Sequence, residues 1–357
     1  MRKAIVATLA GIGILLATSA NPAAAAPREF LGVTKSQPLA GRDFPEMKAT
    51  GVRTVRFAIN WYGVQRFRGQ NNWGLTDKLV GDLAARGIRP APFIYGSPRW
   101  VSKRVNRPPL GSARKARAWR QFLTLVVRRY GPGGRYWTGG SYHQAHPGAP
   151  SKPITSWQIW NEPNLAKFFP RKNLTQRYAK LVKISDRAIS AVDPHARVVL
   201  AGLVGFAKPR AWSFLNRLYR VKRIKRDFDA VALHPYAATI GQFRTEVGRL
   251  RRVMKQHHDA RTPLWLTEVG WGSARPTRRF PLNKGPRGQK RMLRRSFSLV
   301  LHKRRPWHIG RLFWFSWRDP AHGAGRYCSF CPSAGLLRHN HERKPAYHVF
   351  RRFAGGG

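Results

Sequence analysis

Ser156-Trp157-Gln158-Ile159-Trp160-Asn161-Glu162-Pro163-Asn164 starts as a short, largely apolar run and ends in a carboxylate followed by proline. The run has the length and aromatic character of a buried strand, and Pro163 marks where strand gives way to loop. The same grammar recurs in Leu264-Trp265-Leu266-Thr267-Glu268-Val269-Gly270-Trp271, where an apolar run again carries a glutamate just ahead of a glycine. Six more such runs flank these two: Phe30 to Thr34, Thr54 to Ile59, Ile88 to Ile94, Val198 to Ala201, Ala230 to Leu233 and Leu312 to Ser316. Each is separated from the next by enough chain for a helix. Leu75 to Arg86 and Ala116 to Tyr130 have helical spacing, and Leu174, Tyr178, Leu181, Ala188 and Val192 mark one face of another helix. Strands alternating with helices eight times over predict an α/β fold, a (β/α)8 TIM barrel in a single domain, which 357 residues accommodate. Asn173 with Gln176 has the form of a capping box, and Asp193-Pro194 ends the helix it opens. The stretch from Gly131 to Pro153, rich in glycine and proline, is expected to be a long irregular loop, and a functional loop and a plain surface insertion fit it equally.

The N-terminus has Arg2 and Lys3, an apolar run from Ala4 to Ala17 and an alanine tract from Ala23 to Ala26. Residues 1–26 therefore read as a signal peptide, cut near Ala25, with 27–357 as the catalytic domain of a secreted or extracellular protein. The apolar run is short for a bilayer span. Cys328 and Cys331 are the only cysteines, and export makes a local disulfide the natural expectation. A zinc site would need a second ligand pair, and the spacing to His339 and His341 matches no strong zinc pattern. No metal and no cofactor is expected. His257-His258-Asp259 reads as solvated surface.

The formal charge is +52, from 67 Lys and Arg against 15 Asp and Glu. Such a surface attracts polyanions, including anionic cell-wall polymers. The basic residues recur in Arg114 to Arg120, Arg217 to Arg226, Arg249 to Lys255 and Lys284 to Arg295, in the manner of outer helix faces. A generic solvated surface and a selected affinity for acidic polymers both fit that pattern. No nucleic-acid-binding module accompanies the charge.

With so few acids in the chain, a carboxylate set against an apolar strand needs a reason. In a barrel, Glu162 and Glu268 point from the C-terminal ends of the fourth and seventh strands into the face where barrel active sites lie. Either alone is as well explained by a buried ion pair or a helix first turn. Together they match a pair of carboxyl groups that flank a glycosidic bond and divide the roles of acid and nucleophile. Asn161 is placed to bind a hydroxyl beside the reacting carbon. The chain also holds 13 Trp. Trp271 and Trp317 are the expected sugar-stacking walls, Trp100 is a further candidate, and Trp160 is expected in the core.

These motifs resemble the retaining glycoside hydrolases of clan A, barrel enzymes that include cellulases, mannanases and β-xylosidases, over nearly the whole mature chain. The resemblance implies Glu162 in Asn161-Glu162-Pro163 as general acid/base and Glu268 in Thr267-Glu268-Val269-Gly270-Trp271 as nucleophile. It implies Arg56 as the second-strand arginine that steadies the nucleophile. His234 and Tyr236 in His234-Pro235-Tyr236 stand for the sixth-strand His and Tyr, and Trp317 for the eighth-strand platform. Lys344-Pro345-Ala346-Tyr347 resembles the start of the last barrel helix. The implied function is double-displacement hydrolysis of a carbohydrate substrate by a monomer. Two other readings stay open: a catalytically idle barrel that binds anionic polymers, and a transglycosylase that shares the covalent step.

Overall fold

The computed structural model describes residues 29–321 and 328–356. The expected signal peptide lies outside them. Eight parallel strands close into a barrel: β1 (Leu31–Thr34), β2 (Thr54–Asn60), β3 (Arg89–Tyr95), β4 (Ser156–Ile159), β5 (Arg197–Val204), β6 (Ala230–His234), β7 (Leu264–Val269) and β8 (Ile309–Phe315). Closure comes from β1 on β8, with Leu31 paired to Leu312 and Val33 to Trp314. Each strand is followed by a principal outer helix: α1 (Asp43–Ala49), α2 (Gly74–Ala85), α3 (Ala113–Tyr130), α4 (Leu174–Ser190), α5 (Ala211–Tyr219), α6 (Ile240–Gln256), α7 (Gly285–His302) and α8 (Pro345–Ala354). Among the described residues no helix is long and apolar enough to cross a membrane.

Alternation along the strands builds two cores. Val33, Val55, Phe57, Ile59, Trp157, Ile159, Leu200, Leu233, Leu266 and Trp314 face the helices and are fully buried. Inside the barrel a smaller cluster of Val199, Ala230, Ala232 and Trp265 fills the middle. Glu29 plugs the N-terminal end, paired with Arg89 at 2.6 Å and Arg311 at 3.2 Å.

β3 contains two prolines in a central strand, where a missing N–H normally breaks pairing. In a parallel strand alternate residues address opposite neighbours, and Arg89 donates its N–H towards β2. Pro90 and Pro92 therefore sit on the β4-facing edge, and β3 meets β4 only beyond them, at Phe93 with Gln158 and Ile94 with Ile159.

Two local expectations are corrected. Asn173 is not a capping-box residue: it adopts a left-handed conformation, φ 49°, and its side chain caps nothing. The capping box lies instead at the start of α6, where Thr239 and Gln242 exchange side-chain and backbone bonds. The stretch from Gly131 to Pro153 is no irregular loop. It forms two short helices, Arg135–Thr138 and Ser141–Ala145, whose Tyr136, Trp137 and Tyr142 pack together. It leads into the N-terminal end of β4 and buttresses α2, with Tyr136 donating to the Asp77 carbonyl.

The loops at the C-terminal end of the barrel are anchored by Asp43. Its buried carboxylate accepts from Trp317 Nε1 (2.9 Å), Arg318 Nε (3.1 Å) and Nη2 (3.0 Å) and the Ala40 amide (2.7 Å), and lies 3.3 Å from His341 Nδ1. Removing one partner of a buried pair strands the other charge without water, at a cost of about 3–5 kcal/mol. Asp43→Ala is expected to lower the unfolding free energy by about that amount in a urea titration. A loss under about 1 kcal/mol, the size of a surface ion pair, would contradict this role.

Candidate active site

Glu162 follows β4 in a turn where Trp160 and Glu162 both have positive φ, 74° and 41°. Left-handed geometry is unfavourable for side chains with a Cβ, so the surroundings must impose it. Trp160 Nε1 donates to the Phe168 carbonyl at 2.7 Å, and the Leu165 amide donates to the Glu162 carbonyl at 2.9 Å. Buried Asn164 fastens the turn to β5, donating to the Val204 carbonyl and accepting from the Val204 amide.

On β7, a regular strand would send Thr267 and Glu268 to opposite faces. The register against β8 shifts between Leu266 and Val269, and such an irregularity re-aims side chains. Both residues reach the site: Thr267 Oγ1 is 2.9 Å from His234 Nε2, and Glu268 Oε1 is 2.6 Å from Arg56 Nη1. His234 fits because position 202 is glycine; a Cβ there would lie 1.9 Å from His234 Nε2.

Arg56, 1% exposed, uses each arm of its guanidinium on a different partner. Nη1 donates to Glu268, Nη2 to Asn161 Oδ1 (3.1 Å) and Nε to Gln158 Oε1 (2.7 Å). The other Glu268 oxygen, Oε2, accepts from Tyr236. Glu162 has a different environment. Oε1 is 2.8 Å from His234 Nδ1, and Oε2 makes no hydrogen bond among the described residues. One oxygen of Glu162, one of Glu268 and a ring nitrogen of His234 all lie within 4.8 Å of one another.

Burial pushes the Glu162 carboxyl up to about 7, against the pull of Arg56 and Lys167. Burial also pulls His234 down to about 3, so its imidazole is neutral at working pH. A neutral ring has one donor and one acceptor nitrogen. With Nδ1–H donating to Glu162 Oε1 and Nε2 accepting from the Thr267 hydroxyl, Glu162 Oε2 is left to carry the mobile proton. Tyr236 is held well above its usual value by burial first and then by Glu268 and Glu162, which keeps it a donor. Glu162, His234 and Glu268 offer three metal-ligand atoms, but the Arg56 guanidinium already occupies the Glu268 oxygen. A fixed cation at that oxygen makes the set a poor fit for a metal ion.

Arg56, Asn161, Glu162, His234, Tyr236 and Glu268 thus converge. Trp271 and Trp317 do not join them as sugar platforms. Both are fully buried, because each indole N–H finds its acceptor inside the fold: the Ala237 carbonyl for Trp271 (2.7 Å) and Asp43 for Trp317. Trp100 is half-buried, edge-on to Trp61, and donates to the Gln65 carbonyl. The aromatics that border the pair are Phe315 and Phe330, 6.3 and 5.0 Å from the Tyr236 ring. Cys328 and Cys331 are disulfide-bonded and pack against that cluster. Gln158, Thr267, Asn164 and Phe315 join the site without being candidates on sequence grounds. The signal for Gln158 and Thr267 is a polar residue inside an otherwise apolar strand.

No family model matches the chain. A β-xylosidase of Geobacillus stearothermophilus is 33% identical over 181 residues, which is 47% of this chain and 31% of that protein. The chain therefore spans under a third of that relative. Among solved structures, a family 39 glycoside hydrolase from Bacteroides cellulosilyticus WH2 superposes with TM-score 0.66 at 17% identity, covering 93% of this chain and 64% of its own. A monomeric β-xylosidase from Caulobacter crescentus CB15 gives 0.62 at 18%, covering 91% and 67%. Xylanase 10B of Thermotoga maritima gives 0.63 at 12%, covering 92% and 95%. The chain shares its barrel fold with these glycoside hydrolases.

A carboxyl whose folded value exceeds its value in the unfolded chain stabilises the fold while protonated. For Glu162 that contribution is complete below about 4.5 and is lost as pH rises through about 7. The difference in unfolding free energy between wild type and Glu162→Gln should therefore move with pH in that window, wild type losing ground as pH rises. Parallel stability curves from pH 4 to 8 would contradict the assigned environment.

Proposed function

We propose that the chain is an exported glycosidase that cleaves the β-linked O-glycosidic bonds of an oligosaccharide or polysaccharide with retention of configuration. The carrying observation is the carboxylate pair with oxygens within 4.8 Å of each other. Retaining enzymes hold their carboxyl groups about 5–5.5 Å apart, whereas inverting ones leave about 6.5–9.5 Å for a water. The electrostatics supports the same division of labour. Glu162 holds a proton up to about pH 7, and Glu268 has hydrogen-bond donors on both oxygens.

In the first step a Glu268 oxygen bonds to the anomeric carbon as the bond to the leaving oxygen breaks, and Glu162 Oε2 gives its proton to that oxygen. The products are a glycosyl ester of Glu268 and a free alcohol. In the second step Glu162, now a carboxylate, takes a proton from water as the water oxygen attacks the same carbon and Glu268 departs. Asn161, held by Arg56, faces the reacting centre and can bind a sugar hydroxyl there. Arg56 and Tyr236 follow the charge on Glu268 as it is spent and regained.

Export is proposed from the basic, apolar and alanine-rich order of residues 1–26, and the Cys328–Cys331 disulfide suits an oxidising compartment. A single chain supplies every group of the proposed site, which suits action as a monomer.

Glu268→Ala is expected to lose hydrolysis of aryl glycosides and to recover part of it with azide, giving the inverted glycosyl azide. Full activity in that variant would end the assignment. Glu162→Gln should slow substrates with poor leaving groups by about 10²–10⁴-fold, spare dinitrophenyl glycosides in the first step, and remove the fall in kcat/KM above about pH 7. An unchanged pH profile would assign the acid elsewhere.

A further inference from the structure

The charge of the molecule is unevenly compensated. From the end of each of β1 to β7 to the start of the helix that follows it, the only carboxylate is Glu162. Lys78 with Asp82, Arg129 with Asp77 and Arg311 with Glu29 form ion pairs away from these loops, and Arg318 with Asp43 and Lys344 with Asp319 form them on the loop after β8. The loops after β3 and β7 therefore bring positive charge to the catalytic mouth with no carboxylate of their own.

Two clusters stand out by position. β3 and β7 are four strands apart in a closed barrel of eight, so the loops that follow them face each other across the mouth. Arg99, Lys103 and Arg104 are exposed on the first, and Arg275, Arg278 and Arg279 on the second. Both loops are held in shape. The Ser97 amide donates to the Val105 carbonyl and its hydroxyl to the Arg107 carbonyl, while Asn106 donates to the Lys167 carbonyl after β4. Beyond β7, the Lys284 amide donates to the Gly272 carbonyl and the Ser273 amide to the Ser333 carbonyl. Exposed aromatic rings stand beside rim cations: Phe67 is 58% exposed, with Arg66 5.5 Å from its ring, and Phe280 is 36% exposed, with Arg279 at 5.4 Å.

We propose that the mouth binds a glycan chain bearing repeated anionic groups, laid from the β3 loop to the β7 loop across Glu162 and Glu268. The inference rests on the glycosidase reading above and names its substrate class. A neutral glycan would leave two facing sets of like charges unrelieved, whereas carboxylate or sulfate groups on successive sugars give each guanidinium a bidentate partner. The aromatic faces receive the C–H sides of the sugar rings between those groups. Single-stranded nucleic acid shares the stacking and the charge, but it brings no glycosidic oxygen to an acid paired with a nucleophile.

The test measures binding by the Glu268→Gln variant, which separates affinity from turnover. The probes are glucuronoxylan, its carboxyl-reduced form, chondroitin sulfate and single-stranded DNA, each at about 0.05 and about 0.3 M salt. Glucuronoxylan or chondroitin sulfate is expected to bind at least about tenfold more tightly than the reduced glycan at low salt, and which of the two binds better tells carboxylate from sulfate. Adding Arg275→Ser, Arg278→Ser and Arg279→Ser should abolish that preference. Adding Arg249→Ser, Arg252→Ser and Lys255→Ser in the second half of α6, which removes the same charge from exposed positions far along the chain from any mouth loop, should leave it intact. Equal losses in the two triple variants, equal affinity for the reduced glycan, or tighter binding of DNA than of either anionic glycan would overturn the proposal. Aryl glycoside turnover by wild type is read in parallel. Turnover without glycan discrimination sinks this inference alone, and discrimination without turnover sinks the catalytic reading instead.

Discussion

The site is organised around one buried guanidinium. Arg56 joins β2 to β4 through Gln158 and Asn161 and to β7 through Glu268, so three strands are fixed relative to one another by a single side chain. Burying that cation is costly unless it is fully paired, and here every arm of the fork has an acceptor while the Phe93 ring lies 4.2 Å from its centre. Burial lowers the hold of Arg56 on its proton, and Glu268 opposes that loss. Glu268 and Arg56 are therefore each a condition for the other's burial.

The same constraint separates the two carboxyl groups. Arg56 and Tyr236 face Glu268, whereas Glu162 meets a neutral imidazole on one oxygen and, among the described residues, no hydrogen-bond partner on the other. Burial raises the Glu162 carboxyl against the pull of Arg56 and Lys167, and His234 beside it is itself stripped of its proton by burial. Gly202 makes room for that ring, and Thr34 positions Thr267 behind it by donating to the Thr267 carbonyl at 2.8 Å. Burial thus keeps one carboxyl proton-bearing a few ångströms from a carboxyl that faces a cation.

Much of this is legible in the sequence because parallel strands buried on both faces write themselves as apolar runs. All eight stand out, and the residues from Gln158 to Asn164 announce both the end of β4 and its glutamate. What the sequence hides is set by geometry with no local signature. The register shift in β7 that brings Thr267 and Glu268 to one side depends on β8, and the left-handed backbone at Trp160 and Glu162 depends on Phe168 and β5. Tryptophan composition misleads for a related reason. Trp271 and Trp317 stand beside motif residues in sequence, yet their indole N–H groups are satisfied by buried acceptors, which turns both rings inward. Asn173 has the residue type of a helix cap, but its backbone is left-handed and its side chain makes no cap hydrogen bond.

The central claim is that Glu268 bonds covalently to the sugar while Glu162 handles the proton. It is tested most directly by incubating the protein with a dinitrophenyl 2-deoxy-2-fluoroglycoside of a sugar that it hydrolyses and mapping the adduct by peptide mass spectrometry. The account predicts one fluoroglycosyl group, attached to the peptide that contains Glu268 and located on that residue. A label on any other residue, or continued turnover with no label at all, would contradict it.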